Sequence, residues 1–209
     1  MPTPLTSPFD PHPEQSSRSD IRKTLRRRRQ SLTPAQQTQA AEKVAKHLLA
    51  HPSLYRARHI AIYLANDGEI DPATYVSAAR RRGIHFYLPV LHPFRSGHMT
   101  FVPFNEATRL KRNRFGIPEP LFNGNRYRPA WALDAVLFPL VGFDLEGGRL
   151  GMGGGFYDRT FAFVRQTPRL APKLLGLAHE VQRVTRLPIE PWDIPLQGIV
   201  TEQRRYDLA

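Results

Sequence analysis

A chain of 209 residues can bury a sizeable core as one α/β domain or two very small ones, and one domain is the better expectation. Lys and Arg number 30 against 18 Asp and Glu, giving a formal net charge of +12 that draws phosphates, polycarboxylates or nucleic acid without choosing among them. There is no cysteine, which excludes disulfides, thiolate zinc sites and a cysteine nucleophile, and no apolar run approaches membrane-spanning length.

Met1 to Asp20 is rich in Pro, Ser and Thr and lacks the apolar stretch of an export signal. The expectation is a disordered tail over 1–17, then a single domain over 18–209, in the cytoplasm. Arg18 to Gln30 reads as a basic helix with Ile21 and Leu25 one turn apart. Its arginines form a solvated face, or two of them, Arg18 and Arg22 at i and i+4, converge on a polyphosphate. Thr33-Pro34-Ala35-Gln36 is a capping box that opens a helix to about Leu49. His59 to Leu64 is an apolar run of strand length, Asn66 to Glu69 a polar turn, and Asp71-Pro72 starts a helix that Gly83 ends. A second strand over Ile84 to Val90 completes a βαβ unit, which predicts parallel strands. Glu69 follows a strand's C-terminal end, where open parallel sheets place ligands, although a solvated turn carboxylate is the commoner case.

His98 to Phe104 reads as a short extended segment and Arg109 to Pro120 as a basic loop carrying Phe115. The richest stretch follows. Asp134 to Phe143 is an apolar run, Leu150 to Gly155 holds four glycines behind Arg149, and Phe156 to Val164 reads as a helix. Strand, glycine loop and helix suit an anionic phosphate, because residues without Cβ let successive amides converge on one point. The spacing is neither a P-loop nor a clean dinucleotide fingerprint, and the glycines alone fit a long surface turn with positive φ equally well. Lys173 to Ala178 reads as a strand, and Leu196 to Thr201 is expected to close the sheet. The histidines have no zinc spacing.

The string Phe138-Pro139-Leu-Val-Gly142-Phe143-Asp144, with Gly148-Arg149-Leu150-Gly151-x-Gly153-x-Gly155-x-Tyr157-Asp158-Arg159, resembles the signature of the 5-formyltetrahydrofolate cyclo-ligase family, also called 5,10-methenyltetrahydrofolate synthetase. Similar segments run from Arg18 to Glu202: the pair Arg18 and Arg22, Tyr63-Leu64 with Glu69-Ile70-Asp71, Phe115 to Pro120, Gln182, Leu187-Pro188 and Asp193. The resemblance implies a Rossmann-like three-layer α/β fold with a mainly parallel central sheet, of the NagB/RpiA/CoA-transferase-like kind. It also implies ATP-dependent closure of 5-formyltetrahydrofolate, polyglutamylated or not, to 5,10-methenyltetrahydrofolate, with Mg²⁺ accompanying ATP; a monomer is the expected assembly.

By the same resemblance, Arg18, Arg22, Phe115 and Arg149 with Leu150, Gly151, Met152, Gly153, Gly154, Gly155, Phe156 and Tyr157 bind ATP. Leu64 and Glu69 with Met152 to Phe156 bind the folate, Asp158 and Asp193 hold the metal, and Arg149 and Tyr157 serve the chemistry. Phe156 stands where the family often has Tyr, Met152 where a larger polar or aromatic residue is common, and Gln197-Gly198 where the family is often acidic. Arg26 to Arg29 exceed what the family needs and either steer anionic folate or stay solvated. A basic nucleic-acid-binding protein ranks lower, since it leaves Glu69, Asp158 and Asp193 without a role, and another nucleotide-dependent transferase stays open.

Overall fold

The computed structural model describes residues 17–113, 116–121 and 126–208. Its elements in chain order are α1 (Arg18–Gln30), α2 (Pro34–Leu49), β1 (His59–Ala61), α3 (Ala73–Arg80), β2 (His85–Leu91), β3 (Met99–Phe104), β4 (Leu110–Arg112), β5 (Pro118–Pro120), β6 (Ala135–Pro139), β7 (Gly142–Phe143), β8 (Arg149–Leu150), α4 (Phe156–Phe161), β9 (Lys173–Leu177), β10 (Gly198–Val200) and β11 (Arg205–Asp207). The seven-stranded sheet runs β11-β10-β9-β6-β1-β2-β3. Its five inner strands are parallel, and β3 and β11 are antiparallel edges.

The inner strands bury both faces, which is why they read as continuous apolar runs. Alternation sorts them: Ile60, Ala135, Leu137 and Leu175 pack with Val44 and Leu48 of α2 and Tyr75 of α3. Ala61, Val136, Phe138 and Leu174 face the other way, onto Phe161 of α4 and Leu196. Helices thus cover both faces of a mainly parallel sheet, as expected of an α/β layering. Among the described residues no helix is long and apolar enough to cross a membrane.

Four boundaries differ from expectation. The first strand spans only His59–Ala61, although Ile62 still donates to the Tyr87 carbonyl at 2.9 Å. The basic stretch after Arg109 is not all loop, since β4 and β5 pair antiparallel. The helix after the glycines stops at Phe161 and tightens into a 3-10 turn over Ala162–Arg165. Leu196 to Thr201 does not close the sheet: β11 adds a polar edge strand beyond β10, with Tyr206 opposite Ile199.

One topological fact positions the site. The chain leaves β1 toward β2 on one side and, later, reaches β6 on the other, so the strand order reverses between β1 and β6. The loops after these two strands part there, and ligands of open parallel sheets bind in that crevice. The β1 loop carries Glu69, and the segment after β6 leads through the β7–β8 pair into the glycine loop.

Candidate active site

Helix α1 lies across this crevice. Ser17 caps it, its hydroxyl accepting from the Asp20 amide at 3.2 Å. Two stripes of four-residue spacing divide its surface. Ile21 and Leu25 are buried against Val141, Leu150, Val184 and Leu187. Arg18, Arg22 and Arg26, half-buried on the adjoining stripe, span about 12 Å at the helical rise of about 1.5 Å per residue.

Each of these three arginines meets a different wall. Arg18 holds Asp193 through two hydrogen bonds of 2.6 and 3.1 Å. Arg22 Nε donates to the Gly151 carbonyl at 2.8 Å, and its guanidinium lies against Gly153. Arg26 Nε donates to Asp67 at 2.8 Å. Burial by itself would raise the Asp193 carboxyl, but Arg18 and the Glu190 amide hold it below the usual carboxylate range.

The glycine loop leaves β8 with Gly153 at φ 94° and Gly155 at φ 64°, backbone that L side chains rarely adopt. Among the described residues, no hydrogen bond within the chain uses the amides of Met152, Gly153, Gly154 or Gly155. Four exposed or half-exposed donors on one bend therefore stand open beside Arg22. Arg149 is buried below them: its Nε donates to the Ile194 carbonyl at 3.0 Å, its Nη2 to Asp158, and its Cζ lies 5.2 Å from the Phe138 ring centre. Asp158 also accepts from the Ile194 amide at 3.1 Å, which brings this acid next to Asp193 from 35 residues further along the chain.

Across the crevice, Glu69 is folded back on its own turn. Its carboxylate accepts from the Asn66 amide at 3.1 Å and its amide donates to the Asn66 carbonyl at 3.0 Å. Burial pushes its carboxyl up to about 7, opposed chiefly by Arg29 at 3.8 Å. The Tyr157 ring centre lies 4.6 Å from that of Phe138 at a tilt of 43°, and burial raises its phenol well above the ordinary range, so it remains a hydrogen-bond donor at neutral pH. Leu64 packs on the core beside this turn.

The chain matches the model of the 5-formyltetrahydrofolate cyclo-ligase family over residues 14–202. It belongs to that family. A 5-formyltetrahydrofolate cyclo-ligase of Escherichia coli strain K12 is 39% identical over 88% of this chain and 99% of its own length. One from Haemophilus influenzae is 42% identical over 88% of this chain and 96% of its own. The NMR structure of Aquifex aeolicus 5,10-methenyltetrahydrofolate synthetase superposes with a TM-score of 0.76 at 29% identity, covering 91% of this chain and 92% of that one.

Of the residues the family resemblance singled out, Arg18, Arg22, Leu64, Glu69, Arg149 to Asp158 and Asp193 gather around one crevice. Phe115 lies outside the described residues. Arg149, the charge at the loop's entry, is an almost enclosed strand residue paired with Asp158. Gln197 is structural, its side-chain carbonyl accepting from the Leu174 amide at 2.7 Å. The run Arg26 to Arg29 is neither a free nucleic-acid face nor uniformly solvated. Arg26 and Arg29 both bind Asp67, and Arg29 is wholly buried. That burial had a sequence signal: Ile21, Leu25 and Arg29 repeat every four residues.

Proposed function

We propose that the chain is an ATP-dependent 5-formyltetrahydrofolate cyclo-ligase, forming 5,10-methenyltetrahydrofolate, ADP and phosphate. The observation that carries this reading is the set of four amides from Met152 to Gly155 that, among the described residues, have no hydrogen-bond partner, flanked by Arg22 at the β1/β6 switch point whose other loop carries Glu69. The substrate's formamide oxygen is a poor leaving group. Transfer of the γ-phosphoryl group to it forms an O–P bond as the bond to ADP breaks, N10 then attacks the activated carbon, and phosphate leaves with the oxygen. Protein catalysis of such a transfer is chiefly alignment and charge neutralisation.

In this reading the loop amides and Arg22 hold the terminal phosphates, and Arg18 joins them when phosphate draws it from Asp193. Arg149 supports the loop from below with its charge. Glu69 accepts hydrogen bonds from the pterin edge, with Leu64 and the backbone of Met152 to Phe156 against the ring. Tyr157 donates its hydroxyl hydrogen toward the reacting centre. Asp158 and Asp193 suit Mg²⁺. Two carboxylates suit an ion that draws its remaining ligands from phosphate and water. Among the described residues, one oxygen of Asp158 has no hydrogen-bond partner. Magnesium would neutralise phosphate charge there. The net charge of +12 favours the approach of ATP and of folate, polyglutamylated forms included.

Purified protein mixed with MgATP and 5-formyltetrahydrofolate should develop the long-wavelength absorbance of the conjugated methenyl product, with one ADP released per product. ADP release that ignores the folate would instead point to another nucleotide-dependent transferase.

A further inference from the structure

Arg29 is the largest fully buried side chain among the described residues, with 0% of it accessible, although its helix is otherwise covered in solvent-facing charge. It continues the Ile21–Leu25 stripe, where an aliphatic residue would pack without desolvating a cation. The local bonding does not wholly compensate it: among the described residues Nε has no hydrogen-bond partner. What the guanidinium does reach is informative. Nη1 donates to the Leu140 carbonyl at 2.9 Å, just past β6, and Nη2 donates to Asp67 at 2.6 Å in the loop after β1. Nη1 also lies 3.8 Å from Glu69 Oε1. One side chain thus joins both walls of the switch-point crevice.

We infer that Arg29 is a positioning residue for the folate half of the site, tying the β1 loop to the end of β6 and holding the Glu69 carboxylate over the crevice between them. This rests on the reading of Glu69 as a pterin ligand. The groups that face Glu69 are Arg29 from α1, Tyr157 from α4, Tyr63 past β1, and Asp67 of its own loop. His179, beyond β9, donates to the Gly68 carbonyl at 3.1 Å, and burial holds it neutral with a pKa of about 4. Arg29 is therefore the cation closest to Glu69, and Asp67 competes for it.

That competition gives two substitutions opposite signs. Arg29→Met withdraws the cation, so Glu69 stays protonated to higher pH. Asp67→Asn leaves the guanidinium to Glu69 and removes a neighbouring anion, so Glu69 ionises at lower pH. Asp67 has φ 54°, a conformation Asn tolerates well, so the turn persists.

The test is the pH profile of KM for 5-formyltetrahydrofolate, measured beside KM for ATP in the wild type, Arg29→Met, Arg29→Lys, Asp67→Asn and Glu69→Gln. A shift of about one pH unit in Arg29→Met lowers the ionised fraction at pH 7 from about one half to about one tenth, so folate KM there rises about fivefold. ATP KM should move less than twofold, by about the scatter of such measurements. Arg29→Lys should keep the wild-type profile, and Asp67→Asn should displace it toward acid. If Arg29→Met does not fold, the acid displacement in Asp67→Asn decides the matter. Profiles that coincide with wild type, or that move the same way in both charge-removing variants, overturn the role of Arg29 while a raised folate KM in Glu69→Gln leaves that residue's reading intact. An unchanged folate KM in Glu69→Gln overturns both.

Discussion

Replacing Gly153 with Val tests the phosphate cradle without attacking the fold. At φ 94° a β-branched residue is strained by about 1–3 kcal/mol, and the new Cβ would stand 3.5 Å from Arg22 Cζ, so the branch methyls press on the guanidinium. The loop is exposed and the amides of Met152 to Gly155 make no hydrogen bonds among the described residues, so it relieves the strain by changing shape rather than by unfolding the domain. The loss falls on the pose that receives phosphate. At about 1.4 kcal/mol per tenfold, KM for ATP should rise by about five- to a hundredfold. Gly151→Ala is the control, because Gly151 lacks a positive φ and its Cβ would meet only Arg149 Nη1 at 4.0 Å. Initial rates of methenyl formation against ATP, at saturating folate, give both constants, and thermal unfolding should place both variants near wild type. If Gly153→Val and Gly151→Ala share one ATP KM, the amides do not bind phosphate in this backbone conformation and the cradle argument fails.

Gly142→Ala would set a Cβ on Leu25 Cδ1 and press α1 away from β7, so chemical denaturation should show a loss of about 1–3 kcal/mol. Asp158→Asn leaves the Arg149 charge, 6% exposed, without its carboxylate, and a loss of about 3 kcal/mol is expected. Wild-type stability in that variant would mean the Ile194 carbonyl and Phe138 ring suffice. Glu69 has the opposite dependence from most carboxylates: its folded pKa of about 7 lies above the 4.5 of a free group, so its contribution is present below pH 4.5 and is lost as pH rises through 7. Glu69→Gln should therefore be close to wild type in stability at pH 4.5 and more stable by about 3 kcal/mol at pH 8, read by urea titration at both pH values.

The inner strands were legible because burial on two faces demands unbroken apolar runs, as in Ala135 to Phe138. The edge strand β11 was not, since Arg205-Tyr-Asp207 needs only its backbone and Tyr206 to add to the sheet. Pairing that depends on hydrogen bonds rather than on side chains leaves little trace in composition. The β7–β8 pair escaped for the same reason, two residues to a strand. The glycine loop announced itself because positive φ at Gly153 and Gly155 restricts what can stand there. Asp193 had no such signature and came only through the resemblance, because a carboxylate in a loop looks the same whether it faces water or Arg18.

The arginine run shows where residue type misleads and phase does not. Charge alone groups Arg26, Arg27, Arg28 and Arg29 together, yet a helix separates them within one turn. Positions 21, 25 and 29 are buried, 18, 22 and 26 half-buried, and Arg27, on neither stripe, is exposed. Extending the apolar stripe one more turn from Leu25 lands on an arginine. A cation in a buried phase needs an anion or a carbonyl to meet it, and the nearest loops supply Asp67, Glu69 and Leu140. The sequence contradiction at position 29 therefore points to the same crevice as the strand reversal between β1 and β6, and it does so independently of the glycines.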